Sequence, residues 1–215
     1  GIPSNFKEMV ALQIVRVATG GTYDDPGRPI GNDGAVSVRV VERDPCRQAA
    51  KYAFTLARNL GLSVTSSSKH TIQRATDGFF QSVVEEVHQD FLDIRHRVEL
   101  FDALLAKVIL KPRDYEVVLV LNEYGDFLSD MASGLAGGIG FGASGNFSFD
   151  RNDQVDIAMF DPSGGTAPDI AGQNKCNPTA MLLAFGMLLD HIGQFEIGNN
   201  LRSVIAACLE AGIST

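Results

Sequence analysis

The pattern of hydrophobic and polar positions along the chain changes repeatedly between two periods. Short apolar or alternating runs predict strands, whereas apolar residues that recur every three or four positions predict amphipathic helices. Strands are predicted at residues 9–17, 35–42, 62–67, 115–121 and about 155–160, and helices at 44–59, 77–91, 99–110, 127–137, 178–192 and 196–211. Strands that alternate with helices in this way predict a layered α/β fold.

Turn-forming residues separate these elements. The stretch 24–34 is rich in Gly, Pro, Asn and Asp and predicts a surface loop, while Gly61 is predicted to end the first helix. A Gly-rich stretch at 137–146 precedes a change in the character of the sequence. Two domains are therefore expected, at residues 1–137 and 138–215.

Composition narrows the classes of function. The chain has 215 residues, of which 45% are hydrophobic and 20% are charged, as in ordinary globular domains. It has no apolar run of the ~18 residues that a membrane-spanning helix needs, and its first residues lack the pattern of a signal peptide. The net charge of −8 argues against a nucleic-acid partner. We therefore expect no membrane and no nucleic acid among its partners.

The three cysteines, Cys46, Cys176 and Cys208, lie far apart in the sequence. Their spacing predicts neither a disulfide framework nor a metal site, and buried, unreactive thiols are the simpler interpretation. Free thiols fit a reducing compartment, so we expect a cytoplasmic protein, or one of the mitochondrial matrix in a eukaryote.

The segment Asn122–Asp130, NEYGDFLSD, is the richest in candidate chemistry. It follows an apolar strand and opens a helix, and Asp126 and Asp130 are four residues apart on one helical face. Such a pair at the carboxyl end of a strand suits a hard cation, Mg²⁺ or Mn²⁺. A solvated helix start, in which the two acids only favour the helix dipole, explains the pair equally well.

The whole nine-residue string resembles the N-x-[YF]-G-D-x-x-S-D signature of the metal-dependent β-decarboxylating dehydrogenases, the isocitrate and isopropylmalate dehydrogenase family. Four further segments are similar to family motifs and occur in the same order: Leu12–Tyr23 (LQIVRVATGGTY), Ser66–Gly78 (SSSKHTIQRATDG), Phe101–Asp102 and Thr166–Ala180 (TAPDIAGQNKCNPTA). The matches run from about residue 9 to about residue 205. The resemblance implies the family's layered α/β fold with the first domain only partly present, because family members extend further at both ends.

The resemblance implies roles for three residues at the substrate. Arg16 would bind a substrate carboxylate, which suits the two-pronged geometry of guanidinium. Lys69 would act as the general base on the substrate hydroxyl, directly or through water. Tyr23 would donate a proton to the carbon from which CO₂ has left.

The resemblance also implies a divalent metal, Mg²⁺ or Mn²⁺, held by Asp102, Asp126 and Asp130. In the family, the counterparts of Lys69 and Asp102 reach into the site of the neighbouring subunit. Residues 1–137 would therefore form a dimer as well as carry the metal and catalytic residues.

The residues that the resemblance assigns to the cofactor NAD are Thr71, Gly165, Ala167, Asp169 and Asn177. Small residues allow a nucleotide to approach the backbone closely. Asp169 would accept hydrogen bonds from the ribose and repel a 2′-phosphate, so NAD is expected rather than NADP, and Asn177 would contact the adenine. Gly164 stands where the family usually has His. A turn-rich connector is the alternative interpretation of this loop.

Two functions follow from the resemblance. The first is NAD-dependent oxidative decarboxylation of an isocitrate-like 2-hydroxy acid by a homodimer or a hetero-oligomer. The alternative is a non-catalytic subunit that pairs with a full-length dehydrogenase and regulates it, because substrate-binding arginines found elsewhere in the family are not in this sequence.

Overall fold

The computed structural model describes residues 12–138, 142–163 and 165–213. The described residues up to Ser129 form one compact unit, and those from Asp130 onward form another. The two-domain boundary near residue 138 stays a prediction.

The first unit is built on a four-stranded parallel sheet with the strand order β1-β6-β4-β5. Its strands are β1 (Gln13–Arg16), β4 (Val64–Ser68), β5 (His96–Leu100) and β6 (Val117–Val120). Its helices are α1 (Arg43–Leu60), α2 (Asp77–His88), α3 (Phe101–Leu110) and α4 (Asn122–Ala136). The helix α4 continues beyond Ser129. A small antiparallel pair, β2 (Arg28–Ile30) and β3 (Gly34–Val36), lies between β1 and α1 in sequence. The mixed order of strands and helices confirms the α/β class.

The core of this unit lies on both faces of β6. All four residues of β6 are buried, as the uninterrupted apolar run predicts for a strand that is covered on two sides. The helix α1 contributes a face of small residues around Phe54, and α2 contributes Phe80, Val83 and Val84. Gly61 ends α1 at φ 69°, a left-handed conformation that glycine adopts without steric cost, so this prediction is confirmed.

The second unit consists of a β-hairpin and two helices. Strands β7 (Ala143–Phe149) and β8 (Val155–Pro162) pair antiparallel, and α5 (Thr179–His191) and α6 (Phe195–Glu210) follow. The helices are joined by Arg202, whose guanidinium donates to both carboxylate oxygens of Asp190 at 2.9 and 3.0 Å. None of the helices in the described part of the chain is long and apolar enough to cross a bilayer.

Several predicted elements are wrong in extent or were missed. The helix α4 begins at Asn122, five residues before the predicted 127, because it starts directly after β6 without a loop. Strand β5 was missed because it is an edge strand whose side chains are only partly covered, so it lacks an apolar run. The strand predicted at 35–42 ends at Val36, and only an isolated bridge between Gly21 and Val40 follows.

Strand β7 was also missed, in the Gly-rich stretch. Its pairing with β8 is long-range information that local composition does not contain. Glycine suits position 145, since a Cβ atom there would lie a tight 3.1 Å from ring atoms of both Phe147 and Phe160. The predicted strand at 9–17 is described only from residue 12 onward.

A partly buried histidine lies in the first unit. His96 Nε2 lies 2.9 Å from the Ser66 hydroxyl, and its ring packs against Phe54 and His88. Burial, and then the nearby charge of His88, lower the pKa of His96 from 6.5 to about 4. The folded protein therefore resists protonating this ring.

We predict that stability falls with acidification because of His96. As the pH drops from about 6.5 towards 4, the unfolded chain binds a proton at His96 that the folded chain refuses. The free energy of unfolding should decrease by roughly 1–2 kcal/mol across this window, because the ring is only partly buried and solvent screening reduces the effect. Urea unfolding between pH 7 and 4.5 measures it. His96→Gln should flatten this dependence and His70→Gln should keep it; equal slopes in both variants would contradict the prediction.

Candidate active site

Three predicted site residues meet at the carboxyl ends of two neighbouring strands. Arg16 is the last residue of β1, and Asn122 opens α4 immediately after β6. The Arg16 guanidinium donates from Nε to Asn122 Oδ1 at 2.9 Å and from Nη1 to Asp126 Oδ1 at 2.6 Å. The Tyr23 hydroxyl donates to the other Asp126 oxygen at 2.9 Å. The structure thus joins Arg16, Tyr23 and Asp126 in one cluster.

The electrostatics of this cluster keep Tyr23 protonated. Partial burial, and then the hydrogen bond to the Asp126 carboxylate, raise the pKa of Tyr23 above 10.0. A protonated phenol is a hydrogen-bond donor and a potential proton source. The Tyr23 side chain is 49% exposed, so a small molecule can reach its hydroxyl.

Asn122 is a site residue to which the sequence analysis gave no role. Its side chain is buried, accepts from Arg16, and donates from Nδ2 to the Gly20 carbonyl at 2.9 Å. It therefore ties the loop that leads to Tyr23 to the start of α4. In the sequence, its place in the Asn122–Asp130 motif was the feature that could have indicated this role.

Gly125 is a second site residue to which the sequence analysis assigned no role. A Cβ atom at this position would lie 2.6 Å from Arg16 Cγ and 2.8 Å from its Cβ and Cδ, closer than real contacts allow. The absence of a side chain lets Arg16 lie across the first turn of α4 and reach Asp126. Glycine is required here by close approach.

The other two strands of the sheet deliver a second pair. Lys69 follows β4, and Asp102 is the second residue of α3, directly after β5. Lys69 Nζ lies 2.9 Å from Asp102 Oδ1, and this hydrogen bond lowers the pKa of Asp102 below 3.8. The Asp102 side chain is 68% exposed, so this pair lies at the surface of the single chain.

The main chain of Lys69 is held from inside the unit. Its backbone N–H donates to Asp77 Oδ2 at 2.7 Å, and the Asp77 side chain is fully buried. Asp77 therefore orients the residue that the family resemblance makes the general base. In the sequence, Asp77 stands out only as a residue of the family-like segment Ser66–Gly78.

The predicted metal ligands are only partly brought together. Asp126 and the exposed Asp130 are one turn apart on α4, whereas Asp102 is paired with Lys69. Within the described ranges, no group of three or more His, Cys, Asp or Glu side chains could hold a metal ion. Carboxylates are the hard oxygen donors that Mg²⁺ and Mn²⁺ prefer, so the donor chemistry fits. The resemblance implies that the third of these ligands, Asp102, is contributed by a neighbouring chain.

The predicted cofactor loop surrounds a cavity of about 430 Å³ in the second unit. Gly165 and Ala167 line it together with Ile170, Gly172 and Lys175. Gly165 has open space where a Cβ would lie, and Ala167 has a left-handed backbone at φ 42°.

The remaining cofactor predictions do not line this cavity. Asp169 lies on an exposed 3₁₀ turn, and the side chain of Asn177 accepts from the Thr179 N–H at 3.0 Å at the start of α5. Thr71 is exposed in the first unit, where its carbonyl accepts from Arg74 at 3.3 Å. Gly164 lies outside the described residues. The cofactor assignments therefore stay predictions.

The fold and these motifs define a class of α/β protein that is similar to β-decarboxylating dehydrogenases. The family model described as isocitrate/isopropylmalate dehydrogenase matches residues 2–215, and the chain belongs to this family. The prediction made from the co-linear motifs is confirmed.

Named relatives show how much of the family's length is present. The chain is 36% identical over 202 residues to subunit 2 of the mitochondrial NAD isocitrate dehydrogenase of Kluyveromyces lactis, covering 92% of this chain and 53% of the relative. It is 32% identical over 207 residues to the 3-isopropylmalate/3-methylmalate dehydrogenase of Methanocaldococcus jannaschii, covering 94% and 60%. The chain thus spans little more than half the length of these relatives.

A solved structure agrees with the fold. The crystal structure of isocitrate dehydrogenase from Methylococcus capsulatus matches with a TM-score of 0.88 at 32% identity, over 99% of this chain and 62% of that one. This match confirms the predicted isocitrate/isopropylmalate dehydrogenase-like α/β fold.

We predict that Gly125→Ala destabilises the protein by about 1–3 kcal/mol, because the new methyl group must displace the Arg16 side chain. Chemical denaturation of the two chains gives this difference. Gly134→Ala is the matched control on the same helix, since nothing lies within 4 Å of its Cβ position. That control should be neutral or stabilise by up to about 1 kcal/mol. Equal responses at both positions would show that the close approach to Arg16 has no effect.

Proposed function

We propose that the protein takes part in the NAD-dependent oxidative decarboxylation of an isocitrate-like 2-hydroxy acid, with Mg²⁺ or Mn²⁺ as the metal. One observation supports this most strongly. All four strands of the parallel sheet deliver a candidate residue at their carboxyl ends: Arg16 from β1, Lys69 from β4, Asp102 from β5 and Asp126 from β6. This is the edge of an α/β sheet at which ligands generally bind.

Arg16 would bind a carboxylate of the substrate. In the structure its guanidinium is neutralised by Asp126, at a distance of 2.6 Å. A substrate carboxylate offers the same paired oxygens and can compete for the same donors. Asp126 would then be released from Arg16, while Tyr23 lies beside both groups.

Lys69 and Tyr23 would move the two protons of the reaction. Lys69 would act as the general base that accepts the proton of the substrate hydroxyl while that carbon is oxidised to a ketone, and bound NAD would supply the hydride acceptor. After CO₂ leaves, the Tyr23 hydroxyl would give a proton to the carbon that carried it. The raised pKa of Tyr23 means that the phenol carries its proton before the reaction begins.

The metal would be held by Asp126 and Asp130, with Asp102 contributed by a neighbouring chain. When bound, it would supply positive charge that polarises the hydroxyl and carboxylate oxygens of the substrate. Because Lys69 is paired with the same Asp102, the resemblance requires both residues to reach across a subunit boundary together. We therefore propose a homodimer, or a hetero-oligomer with a related dehydrogenase, as the working form.

NAD is the proposed cofactor. The Kluyveromyces relative is named as an NAD enzyme. In this chain, Asp169 places an exposed negative charge on the predicted adenosine loop, and the described residues give its carboxylate no hydrogen-bond partner. Such a group can accept from ribose hydroxyls and repels the 2′-phosphate of NADP.

A regulatory subunit without catalysis is the second candidate. The Kluyveromyces relative is a named subunit of a larger enzyme, and this chain spans about half of its length. Large apolar side chains are exposed on α5 and α6, among them Phe185 at 50% and Phe195 at 61%. Exposed apolar surface of this kind favours association with another chain.

We expect NADH to form when the protein is given NAD, Mn²⁺ and isocitrate, with isopropylmalate, tartrate and malate tested side by side. Lys69→Met and Asp126→Asn should each lower kcat by at least about 100-fold, because one removes a proton acceptor and the other a metal ligand. Lys111→Met and Asp33→Asn are the matched controls, since both positions are exposed and away from the four strand ends.

Turnover that survives Lys69→Met would contradict the assignment of the base. Tight calorimetric binding of Mn²⁺ without NADH formation from any of the four acids would favour the regulatory subunit. In that case, adding this chain to a full-length relative should change the KM or kcat of the latter.

We predict that Asp169 sets the cofactor preference. Asp169→Ser removes the charge that opposes a 2′-phosphate, so the ratio of kcat/KM for NAD to that for NADP should fall by about tenfold or more, the equivalent of about 1.4 kcal/mol. Asp156→Ser, at an exposed position on β8, should leave the ratio unchanged. An unchanged ratio in Asp169→Ser would remove this residue from the cofactor site.

A further inference from the structure

A buried arginine connects three segments of the first unit. Arg39 lies in the extended segment after β3, and its side chain is 15% exposed. Its Nη2 lies 3.1 Å from Asp77 Oδ1 and its Nη1 lies 2.9 Å from Glu123 Oε1. The Nη1 group also donates to the Tyr124 hydroxyl at 3.2 Å. One guanidinium therefore faces two carboxylates, and these are 0% and 6% exposed.

The contacts between Arg39 and its two acids do not form a complete hydrogen-bonded network. Although the ion-pair distances are short, neither oxygen of Glu123 accepts a hydrogen bond from a described residue, and neither Nε nor Nη2 of Arg39 donates one. The contact of Arg39 with Asp77 is therefore electrostatic, and its hydrogen bond from Nη1 goes to Tyr124. Taking charges out of water costs about as much as such a pair returns. A gain in stability therefore does not explain why this cation is placed here.

The neighbours of Arg39 lead directly to the Lys69–Asp102 pair. The Asp77 oxygen that does not face Arg39 accepts from the Lys69 N–H at 2.7 Å and from the Tyr124 hydroxyl at 2.9 Å. The Tyr124 ring stacks on Phe101, the residue before Asp102, with ring centroids 4.5 Å apart. Asp77 and Tyr124 thus contact the segments that carry both members of the pair.

We infer that Arg39 is a positioning residue for the proposed reaction: by fixing the Asp77 carboxylate and the Tyr124 ring, it holds Lys69 in reach of Asp102. The role of Lys69 rests on the proposed function, but the positioning itself does not. The guanidinium faces Asp77 through Nη2, and faces Glu123 and the Tyr124 hydroxyl through Nη1, so one cation lies against all three groups. Arg39 touches neither Lys69 Nζ nor Asp102 and acts only through its neighbours.

Amide hydrogen exchange in the full chain tests this directly. The Lys69 N–H is the donor to Asp77, so its exchange rate reports whether Asp77 stays in place. In Arg39→Met, the Lys69 amide should exchange roughly ten- to hundredfold faster relative to the Leu119 amide in the central strand, because loss of the facing cation frees the Asp77 carboxylate and weakens its charge-assisted hydrogen bond from the Lys69 N–H. Normalising to Leu119 removes any change in global stability.

Three further variants make the result specific. Arg39→Met with Glu123→Met removes both partners of one ion pair and should recover stability, yet the Lys69 amide should stay fast. Arg39→Lys should give intermediate exchange. Arg43→Met removes an exposed arginine that pairs with Glu86, and should leave Lys69 unchanged.

A Lys69 amide that stays as slow as in the unmodified protein, relative to Leu119, in both Arg39→Met and Arg39→Lys would overturn the inference. The proposed function is checked separately, because exchange needs no turnover. Fast exchange in a protein that makes no NADH would support the positioning role and count against the reaction. If NADH does form, Arg39→Met should lower kcat while KM for NAD is kept.

Discussion

The first turn of α4 is the constraint on which the rest of the site depends. This helix begins directly after the central strand β6, so its first side chains sit at the carboxyl edge of the sheet. Asn122, Glu123 and Tyr124 follow one another there, and each binds a different segment. Asn122 holds Arg16 and the Gly20 carbonyl, Glu123 faces Arg39, and Tyr124 donates to Asp77. All three residues are buried, so water screens their electrostatic contacts only weakly.

Several charges at this edge are paired with one another. Arg16 pairs with Asp126, Lys69 with Asp102, and Arg39 with two buried acids. An anionic ligand that binds Arg16 or Lys69 must therefore replace one of these internal partners. The exposed pairs cost little to open, whereas the Arg39 pairs are removed from water and resist opening. The exposed side chains can therefore exchange partners when a ligand binds, whereas Arg39 and its two acids hold the surrounding backbone segments in place.

Two close backbone approaches depend on glycine. Gly125 admits the stem of Arg16, and Gly21, at φ +75°, leaves room for Glu123, whose Oε2 would lie 2.2 Å from an added Cβ. The motifs at 12–23 and 122–130 therefore contain glycine for a steric reason, in addition to the residues that carry reactive groups. Their role is spatial: each lets a charged side chain from a distant part of the sequence come within contact distance.

The sequence by itself determined the α/β class, the family, and the candidate residues with reactive groups. Those features are local, because helical and strand periodicity and a nine-residue motif can be read within a short window. The bounds of α1, α2, α5 and α6, and the place of Gly61, were predicted to within a few residues for this reason.

Only the tertiary structure decided which of those residues meet. Edge strand β5 and hairpin strand β7 depend on pairing with other strands, and no local sequence pattern predicts them. Arg16 contacts Asp126 across 110 positions, and Arg39 contacts Tyr124 across 85. Nothing near Arg39 in the sequence separates it from an ordinary surface arginine. Its burial between two acids exists only once the parallel sheet has brought the ends of its strands together.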